Sequence, residues 1–219
     1  AIEKIAIRAL SGMRVSTYFN GVKIENQQWA NDHGIGFTDL GIYELELIKG
    51  ASALKLGAEG VGGILYFKDY PFVHSKVPTG YVATKFDHNH FLFGNQFGLR
   101  WSRKNLFMNL YGQYDVASDY KLPDNTYLFN SRFKNTAVKF SSSYVGENIQ
   151  SILRYQYNNS ELGLPAHVHG DLQSVDLSDI TLNSISIPED FESTRPTQIS
   201  DNHLFVFENN YKDFAEAKG

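Results

Sequence analysis

After Pro78 the chain becomes a series of segments in which apolar and polar side chains alternate. In one of them Phe97, Leu99 and Trp101 occupy every second position. A period of two is typical of β-strands that have one apolar face. The pattern predicts six such strands between residues 80 and 219. The apolar positions of the other five are Val82 and Phe86; Leu106, Met108, Leu110 and Tyr114; Val138, Phe140 and Tyr144; Ile149, Leu153, Tyr155 and Tyr157; and Phe205 and Phe207.

The connections between these segments alternate in length. Residues 102–105 and 146–148 form tight turns, whereas residues 118–131 and 158–200 are long and polar, and the first connection lies within residues 88–93. Barrels of the outer membrane have short periplasmic turns and longer extracellular loops. A soluble sandwich would also alternate, with its apolar face toward its core. The connection lengths favour the barrel, with the first strand running outward.

The composition is compatible with a membrane barrel and excludes some other classes. Of the 219 residues 42% are apolar, the mean hydropathy is negative, and no apolar run approaches the length of a membrane-spanning helix. Barrel strands alternate, so their hydropathy averages out. The formal net charge of −4 argues against a nucleic-acid surface. The absence of cysteine does not distinguish between compartments.

The segment from Glu44 to Asp69 has a different pattern. An extended apolar stretch leads into Gly50-Ala51-Ser52-Ala53-Leu54, then a glycine cluster, then a second extended stretch. Residues 51–56 are good helix formers followed by Gly57 as a stop, so we expect a helix there. The glycines lack the spacing of a phosphate-binding loop and indicate tight backbone turns instead. Upstream, Asn20-Gly21 predicts a hairpin between residues 14–19 and 22–25.

Three motifs in this order resemble the plug domain of TonB-dependent outer-membrane receptors. They are Ile7-Arg8-Ala9-Leu10-Ser11-Gly12, Phe19-Asn20-Gly21-Val22, and the run from Leu45 to Phe67. The match has departures: Ala51 directly follows Gly50 where the family often inserts proline, Lys55-Leu56 replaces a tyrosine, and Leu65-Tyr66-Phe67 replaces an Ile-Asn-Ile ending. Three ordered motifs over about seventy residues make the resemblance specific.

The resemblance implies a fold and a function. Residues 1–69 would be the later part of a small α+β plug, residues 70–79 a linker, and residues 80–219 the first six strands of an antiparallel membrane β-barrel, with a long extracellular loop at residues 158–200. The parent protein would lie in the outer membrane of a Gram-negative bacterium, in contact with its lipid. It would import a scarce extracellular solute when the inner-membrane TonB complex pulls on the plug.

We expect the chain to be an internal piece of a longer protein. A plugged transporter barrel has about 22 strands, and six strands would leave both edges of the sheet open. The start Ala1-Ile2-Glu3-Lys4 has neither an initiator Met nor the pattern of a signal peptide.

A polar loop after the hairpin is the first candidate ligand site. It contains Gln27, Gln28, Trp29, Asn31, Asp32 and His33. An aromatic side chain with a polar handle on a loop suits ligand capture. By the resemblance, plug loops that rise toward the outside contribute to the ligand site. The alternative is that Trp29 packs under the loop against the barrel wall.

Two His-x-His pairs are the candidate metal ligands: His88 with His90, and His167 with His169. Both lie on connections assigned to the outside, and in an extended segment residues two apart share a face. The loop with the second pair holds seven acids against one base, Arg195, which would concentrate cations. The alternative is an ordinary solvated loop rich in proline. A metal ion or metal chelate, of the siderophore or haem kind, is therefore the leading solute.

Charged residues on the predicted strands have simpler explanations than catalysis. Glu44 and Glu46 alternate next to Lys49 and indicate a polar strand face. Four cations on the polar side of the barrel strands are expected to line a water-filled wall or to pair with plug acids: Lys85, Arg100, Lys139 and Arg154. No hydrolase motif or cysteine nucleophile is present, so we expect no enzyme and no required cofactor.

Three other functions stay open at this point. The first is an outer-membrane barrel that serves adhesion or assembly of a protein complex without transport. The second is an importer of glycans or peptides. The third is a soluble all-β binding module.

Overall fold

The computed structural model describes residues 6–7, 10–11, 14–24, 38–57, 62–164 and 197–211. Within these ranges the regular structure is β apart from one short helix. The predicted fold class, an antiparallel sheet with the arrangement of a barrel segment, is confirmed. The candidate loop from Gln27 to His33 and the pair His167 and His169 lie outside the described residues.

The first part of the chain forms a strand pair and a four-stranded sheet, called here the N-terminal sheet. The pair consists of β1 (Ala6–Ile7) and β2 (Leu10–Ser11). The sheet contains β3 (Val15–Phe19), β4 (Val22–Ile24), β5 (Ile42–Ile48) and β6 (Gly63–Asp69), in the order β4-β3-β6-β5. β3 and β6 run parallel, and the other two pairs are antiparallel.

The hairpin between β3 and β4 has the turn that its sequence predicts. Asn20 and Gly21 have φ angles of 46° and 87°, the positive values that a two-residue hairpin turn of the favoured kind requires. Asn20 also fixes the neighbouring strand. Its backbone N–H donates to the Phe67 carbonyl at 2.9 Å, and its side-chain oxygen accepts from the Asp69 N–H at 3.1 Å. The turn therefore holds the end of β6 in place.

The helix expected at residues 51–56 is a 3-10 helix over Gly50–Lys55. The backbone N–H of Leu56 donates to the Ala53 carbonyl at 3.0 Å, three residues back. Six residues without a side-chain N-cap are too few to offset the cost of starting an α-helix. Ala53 anchors the segment in the core of the N-terminal sheet, where it packs with Tyr18 and Ile64.

The second part of the chain forms a six-stranded antiparallel sheet, called here the wall sheet. The elements are β7 (Thr79–Asp87), β8 (Leu92–Arg103), β9 (Leu106–Ala117), β10 (Tyr120–Lys121), β11 (Tyr127–Leu128), β12 (Phe133–Val145), β13 (Ile149–Gly163) and β14 (Thr197–Tyr211). The order in the wall sheet is β14-β13-β12-β9-β8-β7, so each strand pairs with the next long strand in the chain. β10 and β11 form a separate small hairpin within the connection from β9 to β12.

The last two strands are longer than the apolar alternation indicates. The predicted loop began at Asn158, but β13 continues to Gly163 and β14 begins at Thr197, three residues before the predicted end of the loop. Pairing continues from Asn158 with Asn202 to Gly163 with Thr197. Both faces are polar along most of this stretch, so hydrophobic periodicity does not detect it. Backbone hydrogen bonds to the neighbouring strand continue the ladder without an apolar face.

The wall sheet has an inverted distribution of side chains. Large apolar side chains on one face are exposed, among them Val82, which is 82% exposed, and Phe205, which is 66% exposed. The other face buries mostly polar and charged side chains, namely Asn109, Lys139, Ser141, Ser143, Gln156, Asn158 and Ser160. Phe107, Tyr111 and Ala137 are buried on the same face. A soluble sandwich buries its apolar face instead. An apolar outer face with a polar interior is the pattern of a membrane barrel.

The core of the N-terminal sheet gives a first prediction. Ile64→Ala should lower the free energy of unfolding by about 2–5 kcal/mol, because Ile64 is fully buried beside Tyr18 and Ala53. Leu54→Ala is the control, since Leu54 is 68% exposed and its truncation should change stability by about 0.5 kcal/mol or less. Urea unfolding of the detergent-purified protein measures both. Equal effects of the two variants would contradict the packing described.

Candidate functional site at the contact between the two sheets

The contact between the two sheets centres on Lys139 of β12. Its side chain lies on the polar face of the wall sheet and is 3% exposed. The ammonium forms an ion pair with the Asp69 carboxylate and donates to the Leu40 carbonyl at 3.0 Å. It also lies 4.1 Å from the centre of the Phe19 ring, which is cation–π distance. A buried cation is thus held by a charge, a carbonyl dipole and an aromatic face.

Asp69 joins a second wall cation to the same network. It is the last residue of β6, and its side chain is 9% exposed. Its second oxygen lies 3.8 Å from Nε of Arg154 on β13. The Arg154 guanidinium also donates to Glu208 on β14 at 3.0 Å. Two acids and two bases therefore balance, with Lys139 and Asp69 buried and Glu208 at the exposed end of the network.

The linker after Asp69 runs along the inner face of β8 and β9. The Tyr70 ring stacks on Tyr111 at 6.2 Å and lies 5.0 Å beneath the Arg100 guanidinium. Further along, Ser75 and Ser102 form two hydrogen bonds. The Ser75 N–H donates to the Ser102 hydroxyl at 2.7 Å, and that hydroxyl donates to the Ser75 carbonyl at 3.1 Å. The linker is therefore bound to the wall sheet along its length.

A cavity of about 230 Å³ lies between this linker and the wall sheet. Among the described residues that line it, Arg100 is the one Lys or Arg and none is an acid; the lining consists of Pro71, Val73, His74, Ser75, Thr79, Arg100 and Asn109. Phe107 covers the His74 ring at 4.6 Å. Arg100 and Asn109 lie close to the tight turn between β8 and β9. The cavity is therefore at the end of the wall sheet that has the two tight turns.

The chain segment before β5 fits closely against the wall sheet. Leu40 is fully buried against Tyr111 and Ala137. The next residue, Gly41, has φ of 65°, and a Cβ there would lie 2.7 Å from the Tyr111 ring. Both the backbone conformation and the close approach require glycine. This corner places the Leu40 carbonyl within reach of Lys139.

A separate, exposed ion-pair cluster lies on the N-terminal sheet. Glu44 and Glu46 share one face of β5, as their alternation predicts, but their cation is Lys68 of β6, at 3.2 Å and 3.1 Å. Hydrogen bonds to Glu46 and then Glu44 raise the pKa of Lys68 above its ordinary value. The sequence predicted a polar strand face next to Lys49 and named no ion-pair partner; the pairing register of β5 and β6 places Lys68 opposite Glu44.

The first histidine pair lies in a turn. Residues 88–91 connect β7 to β8 without extended backbone, so His88 and His90 do not share a face through strand alternation. His88 is exposed. The His90 ring packs 5.9 Å from Tyr120, and its Nδ1 lies 3.7 Å from an Asp87 oxygen. Within the described ranges no three or more His, Cys, Asp or Glu residues are grouped as a metal site. The metal site stays a prediction.

The four cations expected on the polar side of the strands share the inner face. The pairing register connects Arg100 through Asn109 and Ser141 to Arg154. Lys139 and Arg154 contact Asp69, and Arg100 covers Tyr70. Lys85 lies nearer the other end of the wall sheet. The sequence did not identify Asp69, Tyr70 or the Leu40 carbonyl, because no local motif marks a partner some thirty to a hundred positions away.

The fold is shared with a receptor of known structure. The siderophore receptor PirA from Acinetobacter baumannii superimposes with a TM-score of 0.57 over 73% of this chain, at 14% sequence identity. The chain has the fold of part of that receptor. It spans 26% of the receptor's length. No protein-family model and no curated protein sequence matches the chain. In the described ranges no helix is long and apolar enough to cross a membrane.

The buried network predicts a large effect of removing its acid. Asp69→Ala should lower the free energy of unfolding by about 3–5 kcal/mol, because Lys139 is left buried without its charge partner. The adjacent residue is the control. Lys68→Ala breaks exposed ion pairs and a 5.9 Å contact with the Tyr66 ring, and should cost about 1 kcal/mol or less. Urea unfolding in detergent compares them, and a cost for Asp69→Ala no larger than the control would refute the network.

Gly41 and Gly50 form a matched pair of variants. Their φ angles are 65° and 67°, but a Cβ at Gly50 meets nothing within 4 Å. Each substitution by alanine should cost about 1–2 kcal/mol for the left-handed backbone. Gly41→Ala should cost clearly more, because the new methyl group collides with Tyr111. Equal shifts of the unfolding midpoint for the two variants would show that the corner does not press against the wall sheet.

The Lys68 cluster predicts a pH dependence. A raised pKa stabilises the folded state below the unfolded value of 10.5 and loses that contribution as pH rises through the folded pKa. Glu46→Gln should therefore lower the pKa of Lys68 and speed its reaction with an amine reagent at a fixed pH near 10. Peptide mass spectrometry follows the modification, with Lys49 in the same protein as the reference. An unchanged Lys68 rate would mean that Glu46 does not hold the ammonium.

Proposed function

We propose that this chain is part of a TonB-dependent outer-membrane receptor. The N-terminal sheet belongs to its plug, and the wall sheet forms the first strands of its barrel. The observation that carries the proposal is the inverted wall sheet, with its apolar face exposed and its polar face covered by the N-terminal sheet. The fold shared with a siderophore receptor and the three plug-like motifs support it.

The geometry suits gated import. The N-terminal sheet contacts the inner face of the wall sheet through the Asp69 network and the Tyr70 linker, with no covalent cross-link other than the chain itself. An inner element held by ion pairs and stacked rings closes a passage and can be displaced by a pulling force. The TonB complex of the inner membrane would supply that force, driven by the proton-motive force.

The proposed solute is a metal chelate of the siderophore kind. Support comes from the fold shared with PirA, which is a siderophore receptor, and from the sequence patterns: the polar loop from Gln27 to His33 and the pairs His88/His90 and His167/His169. In this proposal those loop residues contact the solute at the extracellular side. The metal enters as cargo, and no resident cofactor is needed.

The proposed import is tested by solute uptake in cells that produce the parent protein. Deleting its gene should abolish high-affinity uptake of at least one radiolabelled ferric siderophore, and loss of TonB or an uncoupler should have the same effect in the parent strain. Re-expression of the intact gene is the control. Outer-membrane localisation with no energy-dependent uptake of siderophores, glycans or peptides would favour adhesion or complex assembly instead. A native water-soluble protein of 24.8 kDa would refute both.

A further inference from the structure

The two central wall cations differ in where their partners lie. The described partners of the Lys139 ammonium, Asp69, Leu40 and Phe19, all belong to the part of the chain before the linker. Arg154 instead bridges Asp69 and Glu208, so one of its partners is in the wall sheet itself. If the N-terminal sheet moves away, Arg154 keeps an acid and Lys139 loses its carboxylate, carbonyl and ring together.

Displacement would also change the charge of the exposed inner face. Arg100, Lys139 and Arg154 lie on adjacent rows of the wall sheet, and we call them the cationic strip. With the N-terminal sheet in place, the described acids that contact these three cations are Asp69 and Glu208. Without it, Glu208 alone remains. The other acids of this face in the described ranges, Asp87 and Asp115, lie nearer the long-connection end beside Lys85.

We propose that Lys139 is the latch that holds the N-terminal sheet closed, and that its release exposes the cationic strip so that the open passage favours anionic solutes. The inference rests on the proposed function and adds a residue and a charge class to it. A cation-lined passage raises the local concentration of anions. The same side chain thus closes the passage when paired and selects solute charge when unpaired.

The latch is tested by conductance of the full-length parent receptor in planar lipid bilayers with KCl. Lys139→Met keeps the length of the side chain and removes its charge. Without urea, the ion conductance through the receptor (the leak) should rise about tenfold or more in this variant. Removing one partner of a buried ion pair strongly destabilises the closed arrangement. Lys134→Met is the control. Lys134 is on the same strand, and its ion pair with Glu161 at 3.4 Å lies within the wall sheet.

A charge swap separates the two roles of Lys139. Asp69→Lys combined with Lys139→Asp restores an ion pair between the sheets but places its carboxylate against the Leu40 carbonyl and the Phe19 ring. The leak should therefore fall below that of Asp69→Lys alone without returning fully to that of the unmodified protein. In the open passage, the wall then has a carboxylate at position 139 where it had an ammonium. After urea releases the N-terminal region, the reversal potential in a KCl gradient should shift toward K⁺ selectivity in the swap. Lys139→Met should show a smaller shift in the same direction.

Each result has a defined meaning. A leak in Lys139→Met equal to that of Lys134→Met overturns the latch, and so does a charge swap that leaks as much as Asp69→Lys alone. An unchanged reversal potential overturns the link to solute charge. These outcomes are independent of uptake. If the conductance results hold and cells show no energy-dependent import, the proposed function fails while the latch stands; the reverse result removes the latch alone.

Discussion

The ion pair between Asp69 and Lys139 lies at the centre of the contact between the two sheets, beside the Leu40 cluster and the Tyr70 linker. Lys139 projects from the polar face of the wall sheet, and Asp69 stands at the end of β6, where the chain leaves the N-terminal sheet. The pair determines where β6 ends relative to β12, and the linker follows from that point across β8 and β9. Leu40 and Phe19 are positioned around the same ammonium. Removing this contact would leave a buried ammonium without its carboxylate at the centre of the interface.

The wall sheet needs such a partner because its apolar side chains face outward. A sheet whose exposed face carries Val82 and Phe205 cannot fill its other face with the same residue types unless a second apolar layer covers it. The inner face carries mostly Asn, Ser, Gln and Lys, with Phe107, Tyr111 and Ala137 among them. Whatever covers it must therefore bring hydrogen bonds and charges as well as apolar contacts. The N-terminal sheet and linker bring a carboxylate, carbonyl groups and tyrosines. Complementarity here is polar, as in the water-accessible interior of a barrel.

Much of this fold could be predicted from local sequence, and the limits have physical causes. Alternation identified all six wall strands because their outer face is apolar, and it failed after Asn158, where β13 continues with two polar faces. Asn20-Gly21 was diagnostic because few dipeptides accept two positive φ angles. The inner-face cations were recognised, but their partner Asp69 was not. A contact between residues seventy positions apart depends on the docking of two sheets, and no rule of local sequence spacing predicts it. The 3-10 helix was expected as a helix from its residue types, but with six residues and no side-chain N-cap it is too short to start an α-helix.

A buried ion pair is well suited to bind a structural element that must later be displaced. Such pairs contribute little net stability relative to apolar packing, because desolvation of both charges offsets most of their attraction, yet they are costly to break one partner at a time. An apolar interface of equal area would bind the N-terminal sheet to the wall sheet about as firmly if the two sheets were slightly shifted against each other. The Asp69–Lys139 pair favours one register and loses most of its hold once the charges separate and water enters. If the N-terminal sheet is the movable plug proposed above, the closed state is well defined, and the force that opposes separation of this pair is largest over the first few ångströms, before water screens the charges.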